Sequence, residues 1–164
     1  MRNYTDMMRP QLKKHFLNAG TRNLLVIGQF NIGDVLPFVT QDKRCAKKIY
    51  TVNEIQFTVK MNSDRYKIFN NSLKCAACNL TGSLFLLERV HNHEPSVAHF
   101  NLYAVENDYL ILMTKDHIVP RSKGGKDNIN NYQTMCEICN SIKMAKELDN
   151  NELREMRQVY NHLT

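Results

Sequence analysis

Four of the five cysteines in this chain fall in two pairs of identical spacing, Cys75-Ala-Ala-Cys78 and Cys136-Glu-Ile-Cys139, with 57 residues between the pairs. Each Cys-x-x-Cys can bite one side of a tetrahedral zinc, and two such bites complete a four-thiolate shell. Whatever lies between Cys78 and Cys136 must therefore fold so that its two ends meet. A closed thiolate shell leaves no position for water, so this zinc is expected to be structural, and it can add roughly 10 kcal/mol or more of folding free energy. The N-terminus, MRNYTDMMRP, has no apolar core of a secretory signal, and an intracellular, reducing compartment favours metal over disulfides. Cys45 is left over and reads as a small buried thiol. No run of about 18 apolar residues is present, so no membrane partner is expected.

Charge is distributed unevenly about the first cysteine pair. Residues 1–74 carry 13 Lys+Arg against 5 Asp+Glu, a net of +8, and residues 75–164 carry 9 against 11, a net of −2. A basic part of this kind suits phosphates. The pattern predicts a basic, mostly β N-terminal region over 1–62, which would dock on DNA, followed by a second region over 63–164. In the first, residues 9–19 read as a helix between Pro10 and Gly20. Residues 24–30 and 34–40 read as strands, and 49–61 as strand in preference to a helix capped by Thr51 and Glu54. In the second, Ser63 heads a helix that delivers the chain to Cys75. Three apolar runs, Ser83–Val90, Ala98–Val105 and Tyr109–Thr114, read as an antiparallel meander, with 79–109 as an insertion. Residues 128–133 read as a return strand, and helices are expected from Cys136 to about Leu148 and from Asn150 to His162. In the last, Leu153, Met156, Val159, Tyr160 and Leu163 form the packing stripe.

The stretch from Asp116 to Lys143 concentrates the chemistry. Cys136, Cys139, Asn140 and Lys143 recur at i, i+3, i+4 and i+7 and share one helical face. Zinc on the cysteines would hold Asn140 rigidly beside it. If the strand ending at His117 packs on that helix, Asp116, His117 and Asn140 converge. A carboxylate and an amide oxygen are hard ligands that suit Mg²⁺, or Mn²⁺ in its place, and a neutral imidazole nearby suits a general base for water. Metal and base together are enough to hydrolyse a phosphodiester. Arg121, Lys123 and Lys126 flank the loop and are candidate phosphate contacts, as is Lys143. His99 is a further candidate to approach the site from a neighbouring strand. Lys-Gly-Gly-Lys at 123–126 is not a phosphate-cradling P-loop, because no Gly-Lys-Ser/Thr follows.

These residues resemble the His-Asn-His (HNH) endonucleases, in the style of the small enzymes carried by bacteriophages, over about residues 63–147. Asp116-His117-Ile118-Val119-Pro120 looks like the family's first motif, and Gly124-Gly125 like its loop. Asn131 before Tyr132-Gln133 looks like the central Asn, Cys136-x-x-Cys139-Asn140-x-x-Lys143 like the last motif, and Cys75-x-x-Cys78 like the first zinc knuckle. The third nominal His is Asn140 here. The resemblance implies an α+β fold with a zinc-braced ββα-metal core and a helical tail. It implies His117 as general base, one divalent ion on Asp116 and Asn140, and Asn131 pinning the loop that orients His117. The expected substrate is DNA, duplex or branched, and the products 5′-phosphate and 3′-hydroxyl ends. The rival reading is a non-catalytic zinc-dependent module that binds nucleic acid, which has no need of Asp116, His117 and Asn140 together.

Overall fold

A computed structural model of the chain describes residues 13–14, 24–44, 46–90, 98–144, 146 and 148–163, with side chains from 24 to 159. The strands are β1 (Lys13–Lys14), β2 (Leu24–Phe30), β3 (Lys47–Val52), β4 (Ile55–Lys60), β5 (Leu84–Val90), β6 (His99–Glu106), β7 (Tyr109–His117) and β8 (Tyr132–Cys136). The helices are α1 (Ile32–Val35), α2 (Asp64–Asn71), α3 (Glu137–Lys143) and α4 (Asn150–Leu163), with 3₁₀ turns at Leu36–Phe38, Arg121–Lys123 and Ile129–Asn131. The fold is mixed: one sheet runs in the order β1-β7-β6-β5-β2, β8 adds to β7, and β3-β4 forms a separate ribbon.

The meander expected from the three apolar runs is the centre of this sheet. β5 pairs with β6 and β6 with β7, all antiparallel. Two hairpins turn on polar pairs that tolerate left-handed backbone: Asn53-Glu54 joins β3 to β4 at φ 48° and 67°, and Asn107-Asp108 joins β6 to β7 at φ 48° and 63°. Positive φ at both central residues is the tight-hairpin signature, because that turn matches the twist of the strands it joins. Residues 49–61 are therefore part of a hairpin, and Thr51 and Glu54 cap nothing.

Residues on both sides of the boundary expected at 62/63 share one buried cluster. Val35, Tyr50, Val52, Phe57 and Val59 are buried in the same cluster as Phe69, Phe85, Phe100, Ile111, Met135 and Ile138. Phe100 is its hub. Its ring meets those of Phe30 at 5.1 Å, Tyr50 at 4.8 Å and Phe85 at 5.8 Å, each near-perpendicular. Edge-to-face contacts let the positive rim of one ring meet the negative face of the next. β2 also pairs along β5, so the N-terminal part contributes a strand to the sheet that carries the site.

Several elements depart from the sequence pattern. Residues 34–40 are not a strand: Asp34 Oδ2 accepts from the Asn31 backbone N–H at 3.0 Å, which starts α1, and Pro37 sits in the 3₁₀ turn that follows. Of the expected helix at 9–19, Lys13–Lys14 pair in parallel with Tyr109 and Leu110, and the rest lies outside the described residues, as do Cys45, His91 and His93. The return strand is β8, a few residues later than expected. α3 stops at Lys143, because Met144 takes φ 50°. Asp149 does cap α4: its carboxylate accepts from the Asn151 and Glu152 N–H groups, and the Glu152 carboxylate accepts from the Asp149 N–H. The packing stripe is narrower than expected: Leu153 and Arg157 are buried, whereas Met156 and Val159 are exposed. Arg157 pairs with Glu106, which puts a long basic side chain where the pattern called for an apolar one. The side chains of Tyr160 and Leu163 lie outside the described residues. No helix among the described residues is long and apolar enough to cross a membrane.

Because Phe100 joins the ribbon, β2 and β5 through one ring, Phe100→Ala is expected to lower unfolding free energy by about 3–5 kcal/mol in urea titration. A loss below about 1 kcal/mol would show that the cluster is not the core's hub.

Candidate active site and metal centre

Two backbone devices bring the cysteine pairs together. The first knuckle closes on itself: Cys75 N–H donates to Leu80 O, Asn79 N–H donates back to Cys75 O, and Asn79 takes the left-handed φ of 64° that the turn needs. The Ala76 N–H then donates to Thr134 O on β8, so the knuckle is tied to the strand that ends at Cys136. Cys136 is the N-cap of α3, and its Sγ accepts from the Cys139 N–H at 3.4 Å. From the other side, Arg154 of α4 donates to Ala77 O.

The result is a cluster of four Sγ atoms, all within 4.8 Å of one another. Cys78 and Cys136 stand 3.8 Å apart. Sulfurs bound to a tetrahedral zinc at about 2.3 Å sit about 3.8 Å from each other, so the thiols fit such an ion. Hydrogen bonds from Cys136, Cys139 and Cys78 hold the Cys75 thiol far below its ordinary range, and contacts with Cys136, Cys75 and Cys78 push the Cys139 thiol far above it. Four thiolates at this spacing repel one another, and a divalent cation is what allows all four to ionise together.

β7 and β8 run antiparallel and pair Asp116 with Gln133 and His117 with Tyr132. Asp116 and His117 are consecutive strand residues, so they project to opposite faces. Asp116 is buried, and its Oδ2 accepts from Gln133 Nε2 at 2.9 Å and from Lys143 Nζ at 2.6 Å. Lys143 also donates to His117 O. Among the described residues no other side-chain hydrogen bond reaches the Asp116 carboxylate, whose Oδ1 could hold a cation. One turn back on α3, Asn140 Nδ2 donates to Thr114 Oγ1 at 3.1 Å. The Thr114 hydroxyl gives its one proton to Met135 O at 2.8 Å, so toward Asn140 it can only accept. That direction fixes the amide: Asn140 presents its oxygen away from Thr114.

On the opposite face, His117 Nε2 lies 2.8 Å from Asp127 Oδ1, and its ring meets Tyr132 edge-on with centroids 4.8 Å apart. The Tyr132 hydroxyl donates to the same Asp127 oxygen at 3.0 Å. Hydrogen bonds from His117 and Tyr132 hold the Asp127 carboxyl below the usual carboxylate range. Asn131 staples the intervening loop. Its Oδ1 accepts from the Val119 N–H, and its Nδ2 donates to both Val119 O and Lys126 O. The two glycines of the loop differ in what they supply. Gly124 takes φ +85°, and a Cβ on Gly125 would lie 1.8 Å from Val119 O.

The structure therefore gathers Asp116 and Asn140 through Thr114 and Lys143, and places His117 behind them against Asp127. Thr114, Gln133, Asp127 and Tyr132 were missed by sequence reasoning. Thr114 was within reach of it, since a residue two before Asp116 shares its strand face; Asp127 had no local signal. Arg121, Lys123 and Lys126 are exposed around the loop. Lys143 is a correction: its side chain is 2% exposed and paired with Asp116, so it faces inward and not toward a nucleic acid. His99 lines a cavity of about 480 Å³ together with Asn101, Arg65, Thr114 and Asn140; Asp116 and His117 are not among its lining residues.

Replacing one thiol leaves three and opens the link between the knuckle and α3. Cys136→Ser is expected to lose bound metal in elemental analysis and to unfold β8 and α3 in hydrogen exchange. A folded, metal-free variant would remove the cluster from the structural account.

Residues 108–155 match the family model described as HNH endonuclease. The matched segment holds Asp116, His117, the stapled loop, Cys136, Cys139 and Asn140, and leaves Cys75 and Cys78 outside. No curated protein and no solved structure matches the chain. Over this segment the chain is similar to the HNH endonuclease family.

Proposed function

We propose that the protein is a metal-dependent DNA endonuclease that hydrolyses phosphodiester bonds to 5′-phosphate and 3′-hydroxyl ends, with β7, β8 and α3 as its ββα-metal core. In this reading zinc occupies the four thiols. Asp116 Oδ1 and the oriented Asn140 oxygen hold a second divalent ion, Mg²⁺ or Mn²⁺, whose ligand preference they match. When bound, that ion supplies positive charge for the oxygen that leaves phosphorus.

The observation that carries the reading is the division of consecutive residues between two faces. In-line displacement places the attacking and leaving oxygens on opposite sides of phosphorus. Asp116 and Asn140 stand on one side of β7 and His117 on the other. Asp127 accepts from His117 Nε2, which makes Nε2 the proton-bearing nitrogen and leaves Nδ1 as the base for water. Tyr132 and Asn131 hold that imidazole and its loop in place. Lys143 orients the buried Asp116 carboxylate and offsets its charge. Arg121, Lys123 and Lys126 contact backbone phosphates on either side of the scissile bond.

Plasmid DNA is expected to be nicked or cut in Mg²⁺ or Mn²⁺ and to stay intact without a divalent ion. His117→Ala should lower the rate by roughly 10²–10⁴-fold while metal content and DNA affinity hold. Asp127→Asn should reduce kcat, because it disturbs the imidazole; any accompanying change in KM reads the loss of its pairing with Arg121 at 3.6 Å. Binding without cleavage across metals and DNA forms would replace the enzyme with a non-catalytic nucleic-acid-binding zinc module.

A further inference from the structure

The β3–β4 ribbon takes no part in this chemistry, and its two faces are unlike. Tyr50, Val52, Phe57 and Val59 point into the core. Lys47, Ile49 and Thr51 on β3 and Gln56, Thr58 and Lys60 on β4 are exposed, with Ile49 at 57%. In register they form three facing pairs across the ribbon: Lys47 with Lys60, Ile49 with Thr58, and Thr51 with Gln56.

Two features of this outer face point to one kind of ligand. Lys47 and Lys60 stand directly opposite each other, and like charges in that position destabilise a strand pair. None of the six residues of this face is a carboxylate, and the hairpin's one acid, Glu54, sits in the turn. A polyanion would relieve the repulsion. The remaining side chains, two Thr, a Gln and an Ile, supply hydroxyls, an amide and methyl groups. Those groups meet the base edges and thymine methyls of a duplex, and the major groove, about 12 Å wide, admits a two-stranded ribbon.

We infer that the outer face of β3–β4 enters the major groove of duplex DNA. Lys47 and Lys60 hold the phosphate backbone at the base of the ribbon. Thr51, Gln56, Thr58 and Ile49 read base edges, which makes the ribbon a determinant of where the enzyme cuts. The inference rests on the reading of the protein as one that acts on DNA, and a ribbon of this kind would explain why positive charge concentrates before Cys75.

The test uses the full chain with its metal. Duplex binding is measured across a salt series in the His117→Ala background, with and without Lys47→Gln/Lys60→Gln. Losing two phosphate contacts should reduce the slope of log K against log salt by about 1.8. Removing the Lys–Lys repulsion should leave thermal stability unchanged or raised. In the active protein, Gln56→Ala/Thr58→Ala should reorder the preferred cleavage sites on a randomised duplex pool. An unchanged slope, or a changed slope with the same site ranking, overturns groove reading by the ribbon. If the wild type never cuts DNA, the endonuclease reading falls; the site ranking is then taken from duplexes selected by binding, and the ribbon stands or falls on the slope and that ranking. If the wild type cuts and both ribbon variants match it in slope and site ranking, only the ribbon proposal fails.

Discussion

The four-thiol cluster is the constraint on which the rest of the structure depends. Cys136 is at once the last residue of β8, the N-cap of α3 and a member of the cluster. Anything that fixes its sulfur also fixes where the strand ends and in which direction the helix leaves. α3 spans only Glu137–Lys143, and helices so short are marginal by themselves. Its direction matters because Glu137, Asn140 and Lys143 all reach back to β7, Glu137 by accepting from the Leu112 N–H. The cluster therefore acts on the candidate site through geometry and not through its own chemistry.

Around that anchor, hydrogen bonds decide what each polar atom can do. The chain from Asn140 through Thr114 to Met135 orients an amide that otherwise has two ways to sit. The Lys143 ammonium, buried between Asp116 and the His117 carbonyl, ties both consecutive residues to α3. Asn131 closes the loop between the strands with three side-chain hydrogen bonds, the missing Cβ of Gly125 lets Val119 approach, and Asp127 ties the loop to His117 and Tyr132. Positioning here comes from satisfied polar groups at close range, where a buried donor or acceptor without a partner is costly.

Much of the fold was legible because it follows simple periods. The apolar runs that became β5, β6 and β7 alternate or saturate as buried strands do, and the polar joint at Glu106-Asn107-Asp108 has the chemistry of a turn, whereas the turn at Asn53-Glu54 lay hidden in a stretch that read as one strand. Residues 34–40 were misread because Val35, Leu36, Phe38 and Val39 suit a strand as well as a short helix; the capping contact of Asp34 on Asn31 decided between them. Lys143 shows the same gap at the site. Helical spacing put it on one face with Asn140, but spacing does not say whether that face meets solvent or a strand.

By itself the sequence determined the pairing of two Cys-x-x-Cys knuckles, the family motifs from Asp116 to Asn140, and the concentration of positive charge before Cys75. Those are properties of residue type and spacing, and they survive without a fold. Only the tertiary structure decided that Asp127 meets His117, that Lys143 turns inward to Asp116, and that Lys47 faces Lys60 across a ribbon. Each of these depends on strand register or on which side of an element is covered. The Lys47–Lys60 register follows from the two-residue turn at Asn53-Glu54, and that of β7 with β8 from how the intervening loop closes.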